Sequence, residues 1–125
     1  MSNNKIPYRH SPFDEEIYDA MTVFNKNKSS KEHFSLIDAR IISLIHSYDY
    51  SDTLFFASNE YLAEKTRSTA ATVQKSINKL YLYNLIDKKV YCVGGRKQRV
   101  LTYNEDAAQK FKADPINAKQ RNEKA

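Results

Sequence analysis

Residues 58–103 read SNEYLAEKTRSTAATVQKSINKLYLYNLIDKKVYCVGGRKQRVLTY, and this stretch decides the fold. Ser58 stands where a helix cap is expected, ahead of a short helical segment from Asn59 to about Lys65. Residues 66–68 make a turn. Thr69 is then a good cap for a longer helix over residues 70–83, in which Val73, Ile77 and Leu80 share one face. Asn84 falls where a left-handed residue ends such a helix. On either side of Gly94-Gly95 the segments 85–93 and 96–103 are rich in β-branched and aromatic residues, which signals a tight hairpin.

Upstream, Ser35 and Asp38 form a capping box in its Asp variant, opening a helix to about Tyr48 with Leu36, Ile37, Ile41, Leu44 and Ile45 at helical spacing. Residues 49–53 read as a turn and Leu54 to Ala57 as a short apolar strand. An earlier amphipathic helix over residues 14–24 carries Ile17, Ala20, Met21 and Phe24 at i, i+3, i+4 and i+7, with residues 25–33 as a linker. Downstream, residues 105–112 suit a short helix, followed by a polar tail. The expected organisation is therefore an arm with its helix (1–33), a central domain (34–104), and a short helix with tail (105–125). A chain of 125 residues supports one core of this kind.

Charge is segregated along the chain. Residues 67–103 hold eight bases (Arg67, Lys75, Lys79, Lys88, Lys89, Arg96, Lys97, Arg99) against the one acid Asp87. That surplus exceeds the formal +5 of the whole chain, so the remainder is slightly acidic. Basic charge gathered on a helix, a turn and a hairpin is the footprint of nucleic-acid binding.

The order helix, short strand, helix, turn, helix, two-stranded hairpin is that of a winged helix-turn-helix, an α+β, mainly helical fold with a two-stranded wing. SNEYLAEKTRSTAATVQKSINKLYLYNLI (58–86) resembles the helix-turn-helix of plasmid and phage replication initiator N-terminal domains and of conjugation accessory proteins, and FSLIDARIISLIHSY (34–48) is similar to the helix leading into it. The resemblance spans residues 34–103. It implies double-stranded DNA binding at an origin or repeat region of a mobile element, as a homodimer, with a replication or transfer protein as a further partner. Transcription regulators share the pattern, so regulation is the alternative, and a winged helix that docks proteins is a third. Two positions depart from the family: Ser68 stands where an apolar residue is usual, and Arg67 where Gly or Asn is usual. Either the turn is looser here, or Arg67 itself contacts phosphate.

With Val73 at the centre of the buried face, Ala71, Gln74, Lys75, Asn78 and Lys79 fall on or beside the opposite face. Gln and Asn can pair bidentately with adenine, Lys reaches guanine acceptors, and a small Ala lets the helix approach and touch a thymine methyl. Ser68 and Thr69 can hold a phosphate with hydroxyls and free N–H groups at the helix start. An ordinary solvated helix face is the competing explanation. In a two-residue Gly-Gly hairpin Cys92 faces Lys97 and Val90 faces Arg99, so Lys97 and Arg99 share a side near the tip and, with Arg96, make a basic wing. Such a wing grips phosphate or enters a minor groove, although edge strands also carry charge merely to block aggregation. Leu82, with Tyr81 or Tyr83, is either an exposed surface that pairs two subunits or packs under the first helix.

No catalytic constellation emerges, and the chain is expected not to be an enzyme. There is no G-x-x-x-x-G-K-[ST], and Gly94 and Gly95 are the only glycines. His10, His33 and His46 are scattered and accompanied by no Cys cluster, so neither a metal nor another cofactor is expected; His46 reads as a partly buried structural residue. A nicking tyrosine would need a metal site or Arg-His surroundings that are missing. Asp14, Glu15, Glu16 and Asp19 are explained by a helix dipole. The N-terminus has no apolar core of signal-peptide type, no stretch suits a bilayer, and Cys92 is alone, which together suggest a cytoplasmic protein.

Overall fold

A computed structural model describes residues 13–50 and 58–121. Among these residues, five helices and one antiparallel hairpin follow in the order α1 (Glu15–Lys26), α2 (Leu36–Tyr50), α3 (Asn59–Thr66), α4 (Ala70–Leu82), β1 (Ile86–Val93), β2 (Arg96–Tyr103) and α5 (Glu105–Ala113). Short 3₁₀ turns occupy Ser30–Glu32 and Pro115–Asn117. The architecture is that of a winged helix. The strand expected at residues 54–57 lies outside the described residues, as do residues 51–53 of the expected turn, whereas Asp49 and Tyr50 continue α2.

Side chains and neighbouring groups satisfy the helix starts. Asp14 accepts the Ile17 N–H at 3.1 Å, and the Asp14 N–H donates in turn to the buried Ser43 hydroxyl of α2 at 3.0 Å. The Ser35–Asp38 capping box is formed: the Ser35 N–H donates to Asp38 Oδ2 at 2.7 Å and the Asp38 N–H donates to Ser35 Oγ at 3.3 Å. Ser58, Thr69 and Asn104 cap α3, α4 and α5 in the same way. Each cap relieves one of the N–H groups that a helix start leaves without an internal partner.

The α1 stripe is buried as its spacing predicts, with Ile17, Ala20, Met21 and Phe24 all inside. The stripe of α2 differs. Ala39, Ile41, Ile42 and Ile45 are buried beside a buried Asp38, while Leu36 is exposed. Asp38, Ile41, Ile42 and Ile45 keep helical spacing, but the first member of that face is a carboxylate rather than an aliphatic side chain. Phe24, Phe34, Tyr83 and Phe111 meet with ring centroids 5.1 to 6.0 Å apart, mostly edge to face. Such pairs are each worth about 0.5–1.5 kcal/mol beyond the area they bury. Because these rings come from α1, the loop after it, the end of α4 and α5, the segments set apart at either end of the sequence share one core with the middle.

The hairpin has the register that its Gly-Gly loop dictates: Val90 opposite Arg99, Cys92 opposite Lys97, Val93 opposite Arg96. Both loop residues have positive φ (59° and 78°), which glycine adopts without the Cβ clash that other residues meet. Val100 and Leu101, neighbours whose side chains point to opposite faces, are both buried, and of the two only Leu101 joins the main core cluster. His46 is half-buried, its ring stacked on that of Tyr103 at 3.7 Å.

The segment expected as a polar tail is docked through residue 121. Arg121 donates from Nε to the Tyr81 carbonyl (3.0 Å) and from Nη2 to the Ile86 carbonyl (3.2 Å) and Asp87 Oδ1 (3.1 Å). Its backbone N–H donates to the Leu82 carbonyl, and its guanidinium lies 3.9 Å from the Tyr81 ring centroid, with Lys88 Nζ 4.3 Å from the same centroid. A cation thus sits on the C-terminal carbonyls of α4, where the helix dipole favours it. Leu82 and Tyr81 are partly buried against the core and Tyr83 is buried, so this end of α4 packs rather than presenting an open apolar surface. Arg121→Ala is expected to destabilise the fold by about 1.5–3 kcal/mol, the range for hydrogen bonds made by a charged group. Thermal unfolding would show the midpoint falling by several degrees; an unchanged midpoint would mean that the clasp is not formed in solution.

Candidate nucleic-acid interface

The turn between α3 and α4 is tight. The Ser68 N–H donates to the Ala63 carbonyl at 2.9 Å, with Arg67 in the left-handed region (φ 57°, ψ 47°), the arrangement that closes a helix C-terminus. Thr66 Oγ1 donates to the Leu62 carbonyl at 2.7 Å and lies 2.8 Å from the Ser68 hydroxyl. The looser turn is therefore not what forms. Ser68 takes up the usual apolar position by pairing its hydroxyl with Thr66, and its N–H is engaged in the turn rather than free. Arg67 is exposed and holds a conformation that costs a non-glycine residue about 1–2 kcal/mol.

On α4 the inward face is Val73, Ser76, Ile77 and Leu80. Ala71, Lys75 and Asn78 are exposed, Gln74 is half-buried, and exposed Thr69 accepts the Thr72 N–H at 3.1 Å. Gln74 and Asn78 are joined by a hydrogen bond from Gln74 Nε2 to Asn78 Oδ1 at 2.9 Å. Behind them, Asn59 of α3 donates from Nδ2 to Gln74 Oε1 at 2.8 Å. No periodicity marks Asn59, which lies fifteen positions before Gln74 on another helix.

Lys79 departs from the expected outward face. Its ammonium donates to Asp38 Oδ2 at 2.9 Å and to the His33 carbonyl at 2.7 Å, and lies 5.8 Å from the centroid of the Phe34 ring. Asp38 is almost wholly buried (side chain 2% exposed), and a buried carboxylate requires a cation and hydrogen bonds to remain charged at tolerable cost. Lys79 is thus committed to the interior. Helical spacing places it beside the exposed face, and its long stem carries the charge around to α2.

On the wing, Arg96 and Lys97 are exposed at the tip, as are Lys88 and Lys89 farther along β1. Arg99 shares a face with Lys97 as expected but is half-buried. Burial draws its pKa below the usual value, and the negative charge of Glu60 opposes that shift. Of the eight bases in residues 67–103, Arg67, Lys75, Lys88, Lys89, Arg96 and Lys97 are exposed, with Lys79 and Arg99 drawn inward.

No protein-family model and no curated protein matches the chain. Among solved structures, a protein from Methanosarcina mazei Go1 described as a possible transcriptional regulator superposes with a TM-score of 0.50, at 14% identity, over 78% of this chain and 74% of its own. At that identity the likeness concerns the fold. Among the described residues no helix is long and apolar enough to cross a membrane, and no group of three or more His, Cys, Asp or Glu is placed to hold a metal ion.

Two lysines one helical turn apart should behave differently. Removing one partner of a buried pair costs about 3–5 kcal/mol, and partial exposure of the Lys79 side chain brings Lys79→Ala below that range, to about 2–3 kcal/mol. Lys75→Ala should change stability by less than about 0.5 kcal/mol. Urea unfolding measures both, and equal effects would show that Lys79 is solvated rather than paired.

Proposed function

We propose that this protein is a non-enzymatic, sequence-selective binder of double-stranded DNA, with α4 as the recognition helix and the hairpin as a basic wing. The observation that carries this reading is the division of α4 into an apolar inner face and an outer face of Ala71, Gln74, Lys75 and Asn78, directly after a tight turn bearing an exposed Arg67. A small side chain for close approach, two amides for base edges and flanking cations for phosphates suit a major groove. The wing adds Arg96 and Lys97 for backbone or minor-groove contact.

For biological role, the resemblance of residues 34–103 favours an origin or repeat region of a mobile element, bound as a homodimer that meets a replication or transfer protein. Transcription regulation is the second reading, supported by the description of the archaeal neighbour. A docking role would draw on the groove lined by Phe13, Leu36 and Leu44 together with Arg40 and Lys65. Selection from a random duplex library at about 0.15 M salt, where non-specific binding is weak, tests the proposal. An enriched motif supports it, and the motif's position beside an origin or over a promoter chooses the role. No enrichment by folded protein favours docking.

On the selected motif, Gln74→Ala or Asn78→Ala should cost about 1–3 kcal/mol and relax base preference, whereas Arg96→Ala or Lys97→Ala should weaken all duplexes alike. With four to six phosphates engaged, log K should fall against log salt with a slope of about −4 to −5. Equal losses from both sets, or a slope near zero, would contradict this division. Arg67→Gly should move stability and binding in opposite directions. Relief of left-handed strain exceeds the added freedom of the unfolded chain, a gain of up to about 1 kcal/mol, while loss of the cation lowers affinity for every duplex. Parallel melting and binding curves check it, and unchanged affinity would remove Arg67 from the interface.

A further inference from the structure

The amides of Asn59, Gln74 and Asn78 form a directed chain from α3 to the outer face of α4. Asn59 Nδ2 donates to Gln74 Oε1 at 2.8 Å, and Gln74 Nε2 donates to Asn78 Oδ1 at 2.9 Å. The orientation of the Gln74 amide is thereby tied to that of Asn59, and the orientation of Asn78 to that of Gln74. The Asn59 end has a further peculiarity: its Oδ1 is buried and finds no hydrogen-bond partner among the described residues. A buried acceptor left unpaired lowers stability. As the first residue of α3, after the Ser58 cap, Asn59 also gains nothing from the helix that an alanine would not supply. Among the described residues the hydrogen bond that its amide makes goes to the side chain of Gln74, so the contact of this residue is directed at the outer face of α4.

We infer that Asn59 is a positioning residue for base recognition: it fixes which way the Gln74 amide faces, and through it the Asn78 amide, so that the two outer amides read adjacent base pairs as one unit. The inference rests on the proposed DNA-binding role of α4 and deepens it. With the chain so directed, Gln74 keeps one Nε2–H to donate to a base acceptor such as a purine N7. Asn78 keeps both Nδ2–H groups and one Oδ1 lone pair, a donor and acceptor fork that matches N7 and N6 of adenine in the major groove. If Asn59 were absent, Gln74 could turn over and Asn78 with it, exchanging donors for acceptors at the groove and blurring the preference. Phosphate contacts would not change, because no cation belongs to the chain of amides.

The test uses the full chain and its Asn59→Ala, Gln74→Ala and doubly substituted forms, each in selection from the same random duplex library, with binding to a fixed random duplex and melting measured alongside. Asn59→Ala is expected to relax preference at the base positions that Gln74→Ala relaxes, by about five-fold or more. The double substitution should add little to either single one. Affinity for the random duplex and the melting midpoint should stay level or rise. In the free protein, the side-chain NH₂ resonances of Gln74 and Asn78 should both move on Asn59→Ala. An unchanged motif, an equal loss on cognate and random duplexes, or unmoved resonances would overturn the inference while leaving the DNA-binding proposal standing. Failure of the unsubstituted chain to select any motif would overturn both.

Discussion

The carboxylate of Asp38 is the group on which the arrangement of this molecule depends. It is buried, it accepts the Ser35 N–H that opens α2, and it accepts the Lys79 ammonium from α4. One oxygen therefore ties the start of the central helix to the last turn of α4. A charge in that position cannot be left unpaired, so α4 is held in the rotation that brings Lys79 to Asp38. That rotation in turn presents Ala71, Lys75 and Asn78 to solvent. The neighbouring Ser43 hydroxyl ties α2 to the start of α1 by accepting the Asp14 N–H, so α2 organises both sides of the core through polar contacts as well as aliphatic ones.

Around this anchor the chain separates adhesive from adaptable chemistry. Aromatic edges from α1, α4 and α5 close one end of the core, and Arg121 closes the C-terminus of α4 beside them. At the other end of α4 the turn holds a strained Arg67 and the helix outer face carries amides. A left-handed arginine where glycine would relieve the strain is the kind of local cost that accumulates at functional positions. Its exposure gives the cation, in the proposed function, a phosphate contact that glycine lacks. In the proposed function the same thirteen-residue helix serves the core with one face and a DNA groove with the other, and the wing contributes charge without being needed for the core's aromatic cluster.

Much of this was legible in the sequence because the decisive signals are local. Ser58, Thr69 and Ser35 announce helix starts through their own hydrogen bonds, Gly94-Gly95 fixes hairpin register by its turn geometry, and α1 shows its buried face by spacing alone. What escaped depended on contacts distant in sequence. The α2 stripe begins at a charged residue, so hydrophobicity placed it on Leu36 instead of Asp38. The ammonium of Lys79 follows its partner on another helix rather than the position of its own Cα. Arg121 docks through single hydrogen bonds that leave no period in a polar segment, and the division into arm, centre and tail overlooked four rings that meet only in three dimensions. In the candidate site, Gln74, Lys75 and Asn78 were visible from the helical wheel. Asn59 was not, since nothing in its own helix distinguishes it.

The most direct test of the central claim is to follow backbone amide resonances of the isotope-labelled chain while adding a duplex that carries its selected motif. Perturbations gathered on the outer face of α4, on Arg67 to Thr69 and at the wing tip around Arg96 and Lys97 are the predicted result. Perturbations centred instead on α1 and α5, with those of α4 unmoved, would contradict the account.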